Sequence, residues 1–137
     1  MILKVSCAIT YHEGKILIAQ RKPGVHLAGF WEFPGGKCEK GETMEACLVR
    51  EVQEELSVEI RPRILLRQED HEYPDKTVSL YFYLCDWVSG SPVKKDCQDF
   101  KWILPEELKN FRFPPADTLM IDDLIRQKDI LFPVKPK

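Results

Sequence analysis

This chain of 137 residues offers little to a membrane, a zinc ion or a polyanion. No apolar run approaches the ~20 residues that cross a bilayer. Residues 1–10 lack the apolar core and cleavage site of a secretory leader. Cysteine occurs as five scattered residues (Cys7, Cys38, Cys47, Cys85, Cys97), an odd number without a CxxC pair. That scatter argues against disulfide scaffolding and a zinc site, and it fits a reducing cytoplasm. Excess positive charge is missing too. Against 20 Lys and Arg stand 22 Asp and Glu, a formal net charge of −2, whereas a general nucleic-acid or membrane-surface binder is basic. No stable nucleic-acid or membrane partner is expected. Repeats and internal linkers are absent, so residues 1–137 read as one domain, long enough to bury about two-thirds of its unfolded surface.

What is present is an alternation of strand and helix patterns. Residues 2–11 and 15–21 read as strands around a His12-Glu13-Gly14 turn. A loop with Pro23, Gly24 and Gly29 follows, then a brief strand, Trp31-Glu32-Phe33, that leads into Gly35-Gly36. Residues 58–68 and 77–87 read as long strands, joined by a loop over 69–76 with its turn at Pro74-Asp75. The run 78–84 is rich in strand formers and is expected to be central. A short strand at 100–104, a helical turn from Pro105 and an amphipathic helix over about 116–127 complete the pattern. Residues 128–137 are expected to fray. Strands, a long helix, more strands and a last helix predict an α+β or α/β layered sandwich, with a mixed sheet between helices.

The organising stretch runs from Gly36 to Val58, GKCEKGETMEACLVREVQEELSV. From Thr43 to Leu56 it contains neither Gly nor Pro, and Thr43 is placed to cap a first turn. At about 100° per residue Leu48, Val49, Val52 and Leu56 share one side and can face a core. Glu51, Glu54 and Glu55 share another, where like charges three and four positions apart repel. A lone cluster of this kind usually just solvates a surface. A divalent cation turns the repulsion into attraction, and hard carboxylate oxygens suit Mg²⁺, Mn²⁺ or Ca²⁺.

Here the cluster has a fixed setting. Gly36, five residues, Glu42, seven residues, Arg50-Glu51-Val52, one residue, Glu54-Glu55, one residue and Ser57-Val58 resembles the signature of the Nudix hydrolases, strengthened by the preceding Phe33-Pro34-Gly35-Gly36-Lys37. Ser57 stands where the family has glycine. A non-glycine residue in the left-handed conformation there costs roughly 1–2 kcal/mol but removes no metal-binding oxygen. From Met1 to about Gln127 the pattern looks most like the MutT branch, the nucleoside-triphosphate pyrophosphohydrolases.

The resemblance implies a Nudix-type α/β/α sandwich and Mg²⁺ (Mn²⁺ as substitute) held by Glu51, Glu54, Glu55 and the Gly35 carbonyl. Asp96 is implied as an additional acidic ligand or base. Glu51 is implied as ligand or base toward the attacking water, and Arg50 as the residue orienting the group by ion pairing. Arg21 and His26 match positions that approach nucleotide phosphate or nucleotide. Glu32, Phe33, Pro34, Gly35, Tyr73, Asp75 and Leu80 match substrate-binding positions. Asp117 closes Phe113-Pro114-Pro115-Ala116-Asp117, a motif whose last residue meets the base edge; as a plain sequence feature it also reads as an N-cap. The implied reaction converts a nucleoside triphosphate and water to monophosphate and pyrophosphate. Oxidised purine substrates such as 8-oxo-dGTP, or cytosine-type triphosphates, would make it a cytoplasmic pool-sanitising enzyme, as monomer or homodimer. The alternatives are hydrolysis of another nucleoside diphosphate derivative and a non-catalytic nucleotide-binding Nudix fold.

Overall fold

The structure, a computed structural model, describes residues 1–133. Its strands are β1 (Ile2–His12), β2 (Lys15–Gln20), β3 (Trp31–Glu32), β4 (Gly35–Lys37), β5 (Glu59–Tyr73), β6 (Lys76–Ser89) and β7 (Asp99–Ile103). Helix α1 (Met44–Leu56) follows β4, while α2 (Thr118–Arg126) and α3 (Lys128–Leu131) close the described chain. The main path of the sheet is β3-β2-β1-β6-β5, with β4 paired to β1 and β7 to β2. β1 and β6 run parallel, whereas the other pairs are antiparallel, so the sheet is mixed as expected.

Period-two alternation divides the core between two faces. Ala8, Leu17, Tyr83 and Cys85 point to the side covered by Leu48, Val52 and Leu56 of α1. Their neighbours Cys7, Ile9, Ile16, Ile18, Phe82 and Leu84 point to the other side, beneath Met120, Ile121 and Leu124 of α2. The result is the layered sandwich implied by the sequence. Helix α1 begins where Thr43 Oγ1 accepts from the Ala46 N–H at 3.1 Å, and it ends on Ser57 in the left-handed conformation, φ 58°. Val49 is only half-buried, and Cys47 takes its place in the inward stripe.

Three expectations are corrected. Residues 69–73 are strand rather than loop, because β5 stays paired with β6 to Tyr73↔Lys76 and turns only at Pro74-Asp75. Cys38 and Cys47 form a disulfide, with Cα atoms 5.2 Å apart, where none was expected. The turn before α1 folds the strand end back over the helix and brings together two cysteines separated by 9 positions. Residues 128–133 do not fray: Lys128–Leu131 is helical, and Phe132 is buried with its ring centroid 5.0 Å from that of Tyr11. The rest of that expected frayed tail, 134–137, lies outside the described residues. Among the described residues no helix is long and apolar enough to cross a membrane.

Candidate active site

The site begins with two glycines. β4 pairs with β1 at Cys7↔Gly35 and Ser6↔Gly36. A Cβ on Gly35 would lie 1.9 Å from the Ser6 carbonyl oxygen, and one on Gly36 would lie 2.2 Å from Glu51 Oε2. At Gly35 the obstacle is backbone, so only a residue without a side chain lets this strand lie flush against β1, whereas at Gly36 a side chain would push Glu51 aside. The Gly35 backbone N–H faces Glu55 in the last turn of α1 closely enough to favour its ionised form. Pro34 is buried, and its carbonyl accepts from Ala8 N–H at 2.7 Å.

Arg50 braces the acidic face. Its Nε and Nη2 donate to the two Glu42 oxygens at 2.7 and 2.8 Å, and its Nη1 to Glu51 at 2.8 Å and Glu54 at 3.3 Å. The bidentate fork is the geometry in which guanidinium binds carboxylate best, and it lowers Glu42 to a pKa of about 2. This brace lets three acids share a helix face. It also keeps Glu51 and Glu54 turned toward Arg50. Correspondingly, among the described residues no three acidic, His or Cys side chains converge as they stand on one ion position.

Asp96 reaches the same face from outside the helix. The segment before β7 is pinned to the end of α1 by Val93 N–H to Leu56 O at 2.9 Å and Asp96 N–H to Glu55 O at 3.2 Å. The Asp96 carboxylate is paired with Lys22. With Glu51, Glu54 and Glu55 it borders a polar cavity of about 160 Å³. Burial and the neighbouring charges of Glu32, Asp96 and Glu51 raise Glu55 to a pKa of about 9, against the opposing Gly35 hydrogen bond. Burial raises Glu51 as well, with Arg50 opposing. Crowded hard oxygens held toward their neutral forms are the donor set that a divalent cation would ionise and bind.

Beside this lies a cavity of about 450 Å³ with apolar walls that include Phe33 and Leu80. Arg21, Glu32 and Gly35 border both cavities. Arg21 donates from Nε to the His26 carbonyl at 2.6 Å and from Nη1 to Glu32 at 2.8 Å. Glu32 is itself raised by burial, with Arg21 opposing. His26 and Tyr73 meet edge to face at 6.1 Å, while Asp75 lines the turn between β5 and β6 at the cavity's rim.

Asp117 also lines this cavity, buried to 7% exposure. It sits at the N-terminus of α2, yet its side chain makes no capping bond. Burial first, and Glu32 second, raise it to a pKa of about 7. Of the residues expected from sequence, two border neither cavity: Pro34, and Arg50, which stands behind the carboxylates as a brace. His71, Cys7 and Lys22 were missed. His71 had a signal: two positions from Tyr73 on one strand, it shares that residue's face, and their rings lie 4.7 Å apart.

Comparison with known proteins places the sequence and the fold in one family. A family model described as NUDIX domain matches residues 5–123. An 8-oxo-dGTP diphosphatase of Haemophilus influenzae is 35% identical over 127 residues, 92% of this chain and 93% of that protein. A CTP pyrophosphohydrolase of Escherichia coli is 32% identical over 121 residues, 88% of this chain and 90% of that protein. The solution structure of the E. coli ORF135 protein superposes with a TM-score of 0.83 at 30% identity, covering 98% of this chain and 95% of that one.

Proposed function

This chain belongs to the NUDIX hydrolase family, and from that premise we propose that it is a Mg²⁺-dependent, MutT-like nucleoside-triphosphate pyrophosphohydrolase that cleanses the cytoplasmic nucleotide pool. The supporting observation is that the two cavities adjoin and share Arg21, Glu32 and Gly35 as common wall residues. An apolar chamber with a buried Asp117 that makes no capping bond lies beside the cavity lined by Glu51, Glu54, Glu55 and Asp96, with Arg21, Glu32 and Gly35 between them. A base in the first chamber sends its phosphates into the second.

Glu54, Glu55, Asp96 and the Gly35 carbonyl would hold Mg²⁺. Bound there, the ion would neutralise phosphate charge and make a nearby water more acidic. The chain's own residues do the rest. Glu51 takes the proton of the water that attacks the β-phosphorus, and the Arg50–Glu42 brace keeps it oriented. The products are the nucleoside monophosphate and pyrophosphate. His26 and Tyr73 close over the sugar and base, and Arg21 steers the phosphates as they pass.

Asp117 favours an altered base. In its neutral form it offers one donor and one acceptor, as asparagine does. Unmodified guanine presents two acceptors, O6 and N7, on its major-groove edge. 8-Oxoguanine replaces the second with an N7–H donor, so neutral Asp117 pairs with both groups. The N3 acceptor and N4 amino group of cytosine offer the same alternation. This favours 8-oxo-dGTP, with cytosine triphosphates as the competing substrates. Parallel kcat/KM measurements on 8-oxo-dGTP, dGTP, CTP and 5-methyl-dCTP, with pyrophosphate as readout, test the proposal. Equal, negligible turnover of all four would end it.

A further inference from the structure

The charge balance around the polar cavity raises a separate question. Glu32, Glu51, Glu54, Glu55 and Asp96 line it, against two cations, Arg21 and Lys22. A polyphosphate entering there needs cationic groups with hydrogen-bond donors to spare. Arg21 keeps donors to spare, but its Nε and Nη1 bonds to the His26 carbonyl and to Glu32 anchor it at two points on the boundary between the two cavities. Arg50 does not border the cavity and spends its fork on Glu42, Glu51 and Glu54. Lys22 differs from both. Among the described residues its ammonium has one partner, the Asp96 carboxylate, and its side chain is 47% exposed. An ammonium carries three donors on a flexible stem, so two remain unused and the head can swing.

Its place along the site is also particular. Arg21, Glu32 and Gly35 border both cavities, whereas Lys22, Asp96, Cys97 and Glu54 border only the polar one. A nucleotide whose base fills the apolar chamber therefore reaches Lys22 last, with its outermost phosphates. Asp96, the present partner of Lys22, is also the acid that the functional reading assigns to the metal.

We propose that Lys22 is the residue that grips the outer phosphates of the substrate, exchanging Asp96 for the terminal phosphate when the site is loaded, and so selects triphosphates over shorter nucleotides. The inference rests on the functional reading above and goes beyond it in assigning the phosphate count to one side chain. In the resting site the Lys22–Asp96 pair stores the ammonium beside the path and spares the carboxylates part of their mutual repulsion. The exchange costs little, because the pair is exposed and exposed ion pairs are weak.

The test is calorimetric titration, with Mg²⁺ present, of α,β-imido-8-oxo-dGTP and of 8-oxo-dGMP into wild type, Lys22→Met and Lys22→Arg. The imido bridge replaces the bond to be broken, so the readout is binding and not turnover. Lys22→Met should weaken the triphosphate analogue about tenfold, the loss of one charge-assisted phosphate contact, and leave 8-oxo-dGMP within about twofold. Lys22→Arg should recover most of the lost affinity. A Lys22→Met protein that weakens both ligands equally, or neither, overturns the inference while leaving the functional reading in place. Wild-type protein that fails to bind the triphosphate analogue at all overturns both.

Discussion

Glu55 makes a quantitative prediction about metal binding. Its pKa of about 9 comes from burial, then from Glu32, with Asp96 and Glu51 contributing and the Gly35 N–H opposing. At pH 7.5 the metal-free protein therefore holds a proton there that a divalent cation must displace. Titrating Mn²⁺ or Mg²⁺ at that pH should release about one proton per site, seen by calorimetry in buffers of differing ionisation enthalpy. Apparent metal affinity should rise about tenfold per pH unit until pH approaches 9. At pH 9.5 the release should fall to about a quarter of a proton, since most of the acid is already ionised. The same linkage stabilises the fold. Metal at a hundred times its dissociation constant adds about 2.7 kcal/mol, which for a domain of this size raises Tm by roughly 8–10 °C. Glu55→Gln carries no titrating proton, so its binding should be weaker and independent of buffer identity. Metal binding to wild type at pH 7.5 without proton release, or with the release retained in Glu55→Gln, would refute the reasoning.

The sign for metal-free stability is the opposite of that for a salt-bridged acid. Glu55 has its pKa raised on folding from about 4.5 to about 9, so its contribution is fullest below pH 4.5 and is lost as pH climbs toward 9; urea midpoints taken in chelator from pH 6 to 9 should fall by about 1 kcal/mol of stability per unit where Glu55 alone dominates. Glu54 is 61% exposed in its side chain and outside the core; Glu54→Gln should cut kcat by orders of magnitude while shifting stability by no more than about 0.5 kcal/mol. If neutral Asp117 reads the base, the preference for 8-oxo-dGTP over dGTP should decline as pH rises through about 7, whereas Asp117→Asn should keep a flat preference and Asp117→Ala should lose it. A wild-type preference that does not change between pH 6 and 8.5 would remove the neutral form from recognition. Reducing Cys38–Cys47 opens a short loop, of sequence separation 9, and should cost roughly 2–3 kcal/mol, read as a lower urea midpoint in dithiothreitol that Cys38→Ser/Cys47→Ala reproduces without reductant.

How much of this was legible depends on where the chain stores the information. The carboxylate face lies within one helical repeat of itself: Glu51, Glu54 and Glu55 are three and four positions apart, and Thr43 and Ser57 mark the ends of their helix. Local periodicity carries all of that. The two-sided burial of the sheet was legible for a similar reason, since Phe82 and Tyr83 divide between two cores by alternation alone. β5 was cut short at residue 68 because Glu69, Asp70 and Glu72 look like loop residues. They remain strand because β6 pairs with them through to Tyr73, and Asp70 gains the Ser79 hydroxyl at 2.6 Å. The disulfide was invisible because chain separation says nothing about a turn that folds Cys38 back over the helix. Lys22 and Asp96 are 74 positions apart, and no pattern joins them; the Leu56–Val93 and Glu55–Asp96 backbone bonds do.

The difference between the two kinds of residue follows from what each must do. Ligands for one cation must lie within a few ångströms of each other, and a single helix supplies that spacing without help from the fold. A chamber for a base has walls on several sides, so its residues come from β1, the end of β5 and the N-terminal end of α2, as Cys7, Tyr73 and Asp117 do. Substitutions in the acidic face should therefore act on turnover almost regardless of substrate. Substitutions in the chamber should change which base is accepted while leaving phosphoanhydride cleavage intact. Arg21, Glu32 and Gly35 belong to both groups, and a change there should alter selectivity and rate together. Glu32 is the sharpest case: its charge raises Asp117 on one side and Glu55 on the other. Glu32→Gln should lower both acids at once, so that base preference and metal affinity shift along the pH axis in step. Separate movement of the two profiles in that variant would mean that the chambers are electrostatically independent.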